Sequence, residues 1–262
     1  MLIKVVVVQA RMGCRLSLPD MIHIFKQRPD FVCLPEYWLL DETVGDFHRA
    51  ALRFHEYLEY LSRLSEELAT CLIAGTVVAA ENESLYNTCP VILRGSVLGL
   101  YRKRHPVQGE GAKGIRPGSE NLVIDVGGTR VGVMICGDVF HEELYDEMRR
   151  EGADIVFVPT TSPYRPDDTI AAKKQRDQKY FIDGSRRAGA YVAKTCGVGK
   201  LFERPLQGRS LVAAPWGVLS RIGYDEEENQ RIMMVTLDIG DIRDFRTKLV
   251  HLPVSPERRP SD

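Results

Sequence analysis

Short apolar runs alternate along the chain with longer stretches in which apolar residues recur every three or four positions. An unbroken apolar run is typical of a strand buried on both faces, and recurrence at three- and four-residue steps indicates an amphipathic helix. The first part of the chain therefore predicts strands over 2–8 and 31–34, a helix over about 17–27 and a long helix over about 44–69.

The rest of the chain continues the alternation and adds hairpins. Strands are predicted over 71–79, 86–93, 97–101, 122–126, 129–135, 154–158, 191–195, 210–213, 218–222 and 232–237, and helices over about 140–150, 168–187 and 239–248. Alternating strands and helices with added hairpins favour an α/β fold with mixed sheets. Because no linker or repeat interrupts residues 1–254, we expect a single domain there. The tail at 255–262 is rich in Pro, Arg and Ser and is expected to project or to dock on a neighbour.

The composition limits the partners of this chain. It has 262 residues, of which 44% are hydrophobic and 27% are charged, and a formal net charge of -1. This near-neutral charge gives no electrostatic case for binding nucleic acid or an anionic membrane. The apolar runs are too short to span a bilayer, and the first is too short for a signal peptide, so we expect a cytoplasmic protein.

The cysteine pattern does not suggest a metal centre. The sequence has 6 cysteines, none of which form a C-x-x-C pair or have a His at metal-ligand spacing beside them. The pattern fits a reduced chain with buried thiols and no disulfides. We therefore expect neither a metal nor a bound cofactor.

One cysteine lies at a junction that suits a nucleophile. The strand predicted over 129–135 ends abruptly at Cys136-Gly137-Asp138, before the helix predicted over 140–150. We expect Gly137 to supply the backbone angles of a sharp turn, and nearby amides and the helix dipole to favour the thiolate of Cys136. The arrangement is similar to a nucleophile elbow with Cys in place of Ser, although a buried core cysteine gives the same pattern.

Two further strand ends carry groups that would complete an acyl-transfer site. Glu36 follows the strand at 31–34, and Lys103 follows the strand at 97–101. Such strand ends can gather at one edge of an α/β sheet, where ligand sites lie. There Glu36 can take a proton and activate water, Lys103 and the Gly137 N–H can stabilise an oxyanion, and Cys136 can form a thioester. Taken singly, the position of Glu36 also fits a carboxylate at the entry of a helix. The position of Lys103 also fits a solvated charge.

Ordered motifs over nearly the whole chain resemble those of the nitrilase, or carbon–nitrogen hydrolase, superfamily, in its amidase-like branch. The principal matches are Leu34-Pro35-Glu36, Tyr101-Arg102-Lys103-Arg104-His105 and Ile135-Cys136-Gly137-Asp138. Supporting matches are Gln9, Asn87, Arg116-Pro117-Gly118, Gly208-Arg209-Ser210 and Pro215-Trp216-Gly217. They occur in the family's order, and the ordered set is far more specific than any single motif.

The resemblance implies a four-layer α-β-β-α sandwich with two mixed β-sheets and a Glu–Lys–Cys triad. It implies that Glu36 is the general base, Lys103 the oxyanion stabiliser and Cys136 the nucleophile. The family often has a second glutamate in the loop after the lysine. Glu110 is the best match, although a solvated loop charge would give the same local sequence. Because family members commonly self-associate, we expect a homodimer or a larger homo-oligomer.

The chain departs from the family's common pattern beside the cysteine. Amidase-type members commonly have Tyr then Asp after it, and nitrilases have Trp then Glu, whereas Gly137 and Asp138 follow here. Asp138 therefore favours amide over nitrile substrates, and Gly137 is expected to open space beside the sulfur. Gly189-Ala190 and Thr195-Cys196 replace two further family pairs, which leaves the shape of the substrate pocket open.

The sequence as a whole predicts a hydrolase that cleaves a non-peptide C–N bond of a small linear amide through a thioester on Cys136. Two alternatives stay open: an N-carbamoyl amine or amino-acid amidohydrolase with the same residues, and a catalytically inactive relative that serves in binding. A Cys–His protease is disfavoured, because its His needs a separate supporting element with an orienting partner. His105 instead lies in the Lys103 loop, and His141 lies at the start of the next helix.

Overall fold

A computed structural model of the chain describes residues 1–41 and 43–250, so the predicted tail at 255–262 lies outside the described residues. Over this part the strands are β1 (Leu2–Arg11), β2 (Phe31–Cys33), β3 (Cys71–Ile73), β4 (Val77–Glu81), β5 (Ser84–Leu93), β6 (Ser96–Arg102), β7 (Val123–Val126), β8 (Thr129–Val133), β9 (Ile155–Thr160), β10 (Tyr191–Leu201), β11 (Arg204–Leu206), β12 (Leu211–Ala214), β13 (Gly217–Arg221) and β14 (Arg231–Asp238). The helices are α1 (Leu18–Gln27), α2 (Phe47–Leu52), α3 (Phe54–Glu67), α4 (Gln108–Gly111), α5 (Glu142–Arg150), α6 (Ile170–Asp177), α7 (Asp183–Ala188) and α8 (Ile239–Val250). None of these helices is long and apolar enough to cross a membrane.

Strand β1 lies at the centre of one curled, mixed sheet. Hydrogen bonds join the strands in the order β4-β5-β3-β2-β1-β10-β9-β8-β7, and the other strands pair at the sides of this path. β1 runs parallel to β2, with Val5 opposite Phe31, and antiparallel to β14. At the far end of β1, Ala10 pairs in parallel with Gly197 of β10. The two sheets implied by the resemblance are thus joined into one path, because β1 and β10 both extend beyond the runs that predicted them.

The unbroken apolar run of β1 is explained by burial on both of its faces. Val6 packs in an apolar cluster with residues of α1 and α3. Its neighbour Val7 belongs to a second cluster, which contains Val133 of β8 and Phe157 of β9 from the other half of the sheet. A third cluster packs that other half against α5 and α7. The prediction of a doubly buried strand is confirmed, since successive strand residues point to opposite faces.

Three predicted elements are interrupted in the structure. The helix predicted over 44–69 is two helices, α2 and α3, which meet at Arg53. The strand predicted over 71–79 is divided into β3 and β4 on either side of Gly75. The helix predicted over 168–187 contains a π-helical turn, Gln178–Ile182, between α6 and α7. Short elements that were not predicted include α4, which lies inside a polar loop, and β11.

The break at Gly75 sets the position of Glu36. Gly75 has a φ of 65°, and a Cβ there would lie 2.2 Å from the carbonyl oxygen of Pro35. Beside it, Thr76 Oγ1 accepts a hydrogen bond of 2.9 Å from the backbone N–H of Tyr37, which itself has a φ of 53°. Because only glycine fits this close to the Pro35 backbone, the turn that carries Glu36 is held against the start of β4.

The loop that follows β6 is tied to the sheet at both ends. The Lys103 N–H donates to the Asn87 carbonyl oxygen at 2.9 Å, and the Gly118 N–H donates to the Lys103 carbonyl oxygen at 2.8 Å. A Cβ at Gly118 would lie 2.5 Å from the Arg102 carbonyl oxygen. The loop therefore closes on the end of β6 and fixes the position of Lys103.

Two glycines with similar backbone angles test the close approach at Pro35. We expect Gly75→Ala to lower the free energy of unfolding by about 3 kcal/mol or more, because strain at positive φ adds to a backbone clash. Gly127→Ala is the matched control: its φ is 61°, but nothing lies within 4 Å of a Cβ there. Only about 1 kcal/mol of strain is expected for this control. Chemical denaturation measures both losses, and equal losses would contradict the assigned contact.

Candidate active site

Three strand ends converge on one buried cluster of charged side chains. Glu36 follows β2, Lys103 follows β6, and Cys136 follows β8. The Lys103 Nζ lies 2.8 Å from Glu36 Oε1 and 2.6 Å from Glu110 Oε2. Glu36 and Lys103 are each only 1% exposed. The structure thus brings Lys103 into direct contact with both Glu36 and Glu110, and all three side chains are buried.

Glu110 is buried rather than solvated, although its loop is polar and rich in glycine. Its Oε1 accepts hydrogen bonds from the Tyr37 hydroxyl at 2.6 Å and from Asn87 Nδ2 at 2.9 Å, and its Oε2 accepts one from the Val107 N–H at 2.9 Å. Burial acts to raise the pKa of this carboxyl, but the charge and hydrogen bond of Lys103 hold the pKa below its usual value. Glu110 is therefore an ionised partner of Lys103.

Lys103 is held in its charged form. Burial alone would lower its pKa, but the nearby negative charges, led by Glu36, outweigh burial and raise the pKa above its usual value. An ammonium group has three N–H donors. Among the described residues, Glu36 and Glu110 accept two of them. One donor is left for a ligand.

Thr161 connects Glu36 with Cys136. Glu36 Oε2 accepts hydrogen bonds from the Thr161 N–H at 2.9 Å and from its hydroxyl at 2.5 Å. The other oxygen, Oε1, accepts one from Asn87 Nδ2 at 2.8 Å. The Cys136 Sγ donates to the Thr161 carbonyl oxygen at 3.4 Å. The resting thiol proton therefore points at a carbonyl oxygen beside Glu36.

The turn at Cys136 differs from the prediction. The unusual backbone angle belongs to Cys136 itself, which has a φ of 44°, and Gly137 is not among the residues with positive φ. The residues that follow form a 3-10 turn, Cys136–Phe140, so α5 begins only at Glu142. A non-glycine residue at positive φ is strained, as is the nucleophile of an elbow turn. The N-terminus of an α-helix does not act directly on the sulfur.

The predicted stabilisation of the Cys136 thiolate is wrong. Burial and the negative charge of Glu36 raise the pKa of the thiol above its ordinary value, and the positive charge of Lys103 does not compensate for them. The resting cysteine is therefore protonated at neutral pH. It needs a base before it can act as a nucleophile.

Asp138 anchors the turn. Its Oδ2 accepts hydrogen bonds from the Ile135 N–H at 2.9 Å and the Tyr101 hydroxyl at 2.8 Å, and its Oδ1 accepts one from the His105 N–H at 2.8 Å. Burial raises the pKa of Asp138 above its usual value despite these bonds. Asp138 is not among the residues that line the cavity beside Cys136, and its hydrogen bonds hold the turn that carries the sulfur.

The space expected beside Gly137 is filled. A Cβ at Gly137 would lie 2.8 Å from Val107 Cγ1 and 3.4 Å from the His105 carbonyl oxygen. Val107 therefore takes the volume that a larger residue at position 137 would need. The prediction that Gly137 opens this space is wrong, because the loop after β6 closes over it.

The two histidines of the protease alternative pair with each other. The rings of His105 and His141 stack with their centroids 3.4 Å apart, and His141 Nδ1 lies 3.3 Å from Glu143 Oε1. Neither histidine is among the residues that line the cavity beside Cys136. Within residues 1–41 and 43–250, the site does not contain the Cys–His arrangement that a papain-like mechanism needs.

A cavity of about 470 Å³ opens beside the charged cluster. Glu36, Lys103, Glu110 and Cys136 all line it. Apolar lining comes from Phe47, Val139, Phe140, Phe181, Leu201, Phe202 and Leu206. The volume and the mixture of apolar walls with a few polar groups suit a small molecule.

Three residues of the cluster had no predicted role. Thr161 directly follows the end of β9, and Tyr37 directly follows Glu36. The argument from strand ends could therefore have included both residues. Asn87 lies inside β5, where a single buried amide leaves no pattern in the sequence. The family resemblance pointed to Asn87 as a motif residue without saying what it contacts.

Together these features define an α/β protein with a buried site suited to acyl transfer by a thiol. Residues 13–247 match the carbon–nitrogen hydrolase family. The chain belongs to this family, within the nitrilase superfamily, and the resemblance read from its motifs is confirmed.

Curated relatives include amidases and glutamine-dependent synthetases. The deaminated glutathione amidase of Mus musculus is 30% identical over 276 residues, covering 96% of this chain and 75% of the mouse protein. An omega-amidase of Xenopus laevis is 25% identical, covering 78% of this chain and 73% of that protein. The glutamine-dependent NAD(+) synthetase of Aquifex aeolicus is 32% identical over 178 residues, or 64% of this chain. That match spans only 29% of the length of the synthetase.

Solved structures share the fold. A carbon–nitrogen hydrolase from Helicobacter pylori G27 has a TM-score of 0.80 at 19% identity, covering 97% of this chain and 96% of that one. A mutant amidase from Nesterenkonia sp. AN1 carries the acetamide moiety of fluoroacetamide added at its active site cysteine. It has a TM-score of 0.76 at 18% identity, covering 95% of each chain. At these identities the likeness shows the fold alone.

The raised pKa of Cys136 predicts how its reactivity depends on pH. A thiol whose pKa is raised keeps its proton to higher pH, so modification of Cys136 should accelerate only above the pH at which an ordinary thiol ionises. Cys14 is exposed and serves as the control within the same chain. Timed reaction with methyl methanethiosulfonate across a pH series, followed by peptide mass spectrometry, gives both profiles.

A charge variant sharpens this test. The positive charge of Lys103 lowers the thiol pKa, so Lys103→Met should move the Cys136 profile to still higher pH. The Cys14 profile should not move. A Cys136 profile that coincides with that of Cys14 in the wild type would contradict the assigned environment.

Proposed function

We propose that this protein hydrolyses a non-peptide C–N bond of a small linear amide through a thioester on Cys136. The observation that carries the proposal is the buried contact of Lys103 with both Glu36 and Glu110, beside a cysteine that faces a cavity. Burying charges is costly unless they pair, and clusters of this kind are concentrated at functional sites. Membership of the carbon–nitrogen hydrolase family supports the same chemistry.

In the first half of the reaction, Glu36 acts as the general base. It takes the thiol proton as the Cys136 sulfur attacks the amide carbonyl carbon, and it then passes this proton to the departing nitrogen. The raised pKa of the thiol makes such a base necessary. The remaining N–H of Lys103 and the N–H of Gly137 stabilise the oxyanion. The C–N bond breaks, ammonia or an amine leaves, and the acyl group stays on the sulfur.

In the second half, Glu36 takes a proton from a water molecule that attacks the thioester carbonyl. The C–S bond breaks, the carboxylic acid leaves, and the proton returns to the sulfur. Glu110 lines the cavity and holds Lys103 through its Oε2, while Tyr37 and Asn87 hold its Oε1. We assign Glu110 to positioning Lys103 and the substrate.

The relatives support an amide substrate. Two of them are an omega-amidase and a deaminated glutathione amidase, and the synthetase is described as glutamine-dependent. Amides of small carboxylic acids, glutamine among them, are therefore the first substrates to examine. N-carbamoyl amines and amino acids are the alternative, because they present a similar carbonyl carbon to Cys136.

We also propose how the chain is organised around this activity. Residues 1–254 act as one domain in which the two halves of the sheet face each other in a four-layer α-β-β-α sandwich. The apolar cluster that β1 shares with β8 and β9 supports this arrangement. Self-association into a homodimer or larger homo-oligomer, and a cytoplasmic location, remain predictions from the family resemblance and the composition. The mechanism above uses neither a metal nor a cofactor.

Ammonia release from linear amides, N-carbamoyl compounds and nitriles tests the proposed activity. We expect Cys136→Ala to lose about 10⁴-fold or more in kcat/KM on the best substrate, because no thioester can form. Glu36→Gln should lose about 10²- to 10⁴-fold, which is the usual contribution of a general base. Both variants should keep the wild-type fold by circular dichroism.

Two control variants separate the site from the rest of the chain. Cys14→Ala removes an exposed thiol, and Glu143→Gln removes an exposed carboxylate, so both should keep the wild-type rate. Full activity in Cys136→Ala would contradict the mechanism. Ammonia from none of the compounds, together with an unreactive Cys136, would favour the inactive binding relative.

A further inference from the structure

The cavity beside Cys136 carries an excess of positive charge. Apart from Glu36, Lys103 and Glu110, every charged residue that lines it within the described chain is a cation. These residues are Lys113, Arg165, Arg176, Lys194, Arg204 and Arg209. Exposed cations are solvated by water, so the buried members of this set decide what the cavity can bind.

Lys194 of β10 is buried without a hydrogen-bond partner. It is 1% exposed, and within residues 1–41 and 43–250 its Nζ makes no hydrogen bond. Asp177 Oδ1 lies 4.0 Å away, but the other oxygen of Asp177 already pairs with Arg221 at 2.9 Å. Burial and the positive charges of Arg209 and Arg221 lower the pKa of Lys194. The protein itself does not fully neutralise this ammonium group.

Arg209 is also a buried cation with unused hydrogen-bond donors. It is 7% exposed, and its Nε and Nη1 find no hydrogen-bond partner in the described part of the chain. Arg176 pairs with Asp168 through Nη2, yet its Nε is also without a partner there. Three cations that line one cavity therefore have unused donors.

Unused donors on buried cations point to a missing ligand. Removing an ammonium or guanidinium group from water without supplying an acceptor is unfavourable, and native proteins rarely tolerate it. A purely structural Lys194 would be expected to lie at hydrogen-bond distance from Asp177. The contact of Lys194 Nζ with the Phe181 ring, 4.7 Å from its centroid, supplies no acceptor oxygen. An anion in the cavity would satisfy Lys194 and Arg209 together.

We propose that the substrate is an amide that also carries a carboxylate, and that Lys194 and Arg209 are the specificity-determining residues that bind this carboxylate. The inference rests on the proposed hydrolysis at Cys136. Carboxylates form short, charge-assisted hydrogen bonds with guanidinium and ammonium groups. A short linear half-amide of a dicarboxylic acid suits a cavity of about 470 Å³.

Pairs of amides that differ only in terminal charge test this assignment. Succinamate, glutaramate and adipamate would be compared with neutral amides of equal length and with ω-amino amides. We expect the best acid to exceed its neutral partner in kcat/KM by about 30-fold or more. Lys194→Met and Arg209→Gln should each reduce this ratio at least about tenfold, mainly through KM. An unchanged ratio in both variants would overturn the inference.

A matched control lies on the same strand. Lys200 is exposed and pairs with Glu203, so Lys200→Met should leave the ratio unchanged. Lys194→Met should not lower Tm, because it removes a buried charge without a hydrogen-bond partner. Lys194→Gln, which keeps a donor, serves as a second variant if Lys194→Met fails to fold.

Binding without turnover separates this inference from the proposed function. Calorimetry of Cys136→Ala with glutarate should show binding that is at least about tenfold weaker in Cys136→Ala/Lys194→Met. That result supports the carboxylate site even if no amide is hydrolysed. Binding of inorganic phosphate but not glutarate would overturn it, as would hydrolysis of amides with no preference for the acids.

Discussion

The structure depends on one buried interaction, the contact of the Lys103 ammonium with the carboxylates of Glu36 and Glu110. Removing one partner from such a cluster leaves a buried charge without compensation and costs about 3–5 kcal/mol. Further hydrogen bonds therefore support the two carboxylates. The Asn87 amide donates hydrogen bonds to both carboxylates, because its Nδ2 lies 2.8 Å from Glu36 Oε1 and 2.9 Å from Glu110 Oε1. Burial and the negative charge of Glu36 raise the thiol pKa of Cys136, and Lys103 opposes them only in part, so the fold produces a base-dependent nucleophile.

The backbone around the cluster is shaped to hold these charges in place. The glycines at 75 and 118 allow their turns to approach the carbonyl oxygens of Pro35 and Arg102 closely, directly before Glu36 and Lys103. Other motif residues hold the scaffold: Gln9 Oε1 at the end of β1 accepts a hydrogen bond of 3.0 Å from the Ser210 hydroxyl. Gln9 and Ser210, which are not among the residues that line the cavity, thus tie β1 to the residue that precedes β12.

The sequence predicted the parts of this arrangement that depend on local pattern. Doubly buried strands are recognisable because both faces are apolar, and the strand ends pointed to Glu36, Lys103 and Cys136. The break at Gly75 was missed because it depends on Pro35, which is distant along the chain. The prediction of a stabilised thiolate was wrong for a related reason, since burial and the charge of Glu36 both depend on residues that lie near Cys136 only in the folded structure. The sequence did not single out Lys194, because one lysine in an apolar strand looks like an ordinary strand residue. Only the described structure shows that its ammonium group lacks a hydrogen-bond partner there.

If the buried charges act on Cys136 as proposed, its sulfur carries the acyl group during turnover. Rapid acid quench of the wild-type enzyme with its best amide, followed by peptide mapping, tests this directly. We expect a mass increase equal to the acyl group on the peptide that contains Cys136, and no such increase in Cys136→Ala. An acyl adduct on Cys33, Cys89 or Cys196 during turnover would contradict it, as would steady hydrolysis with no adduct at any time.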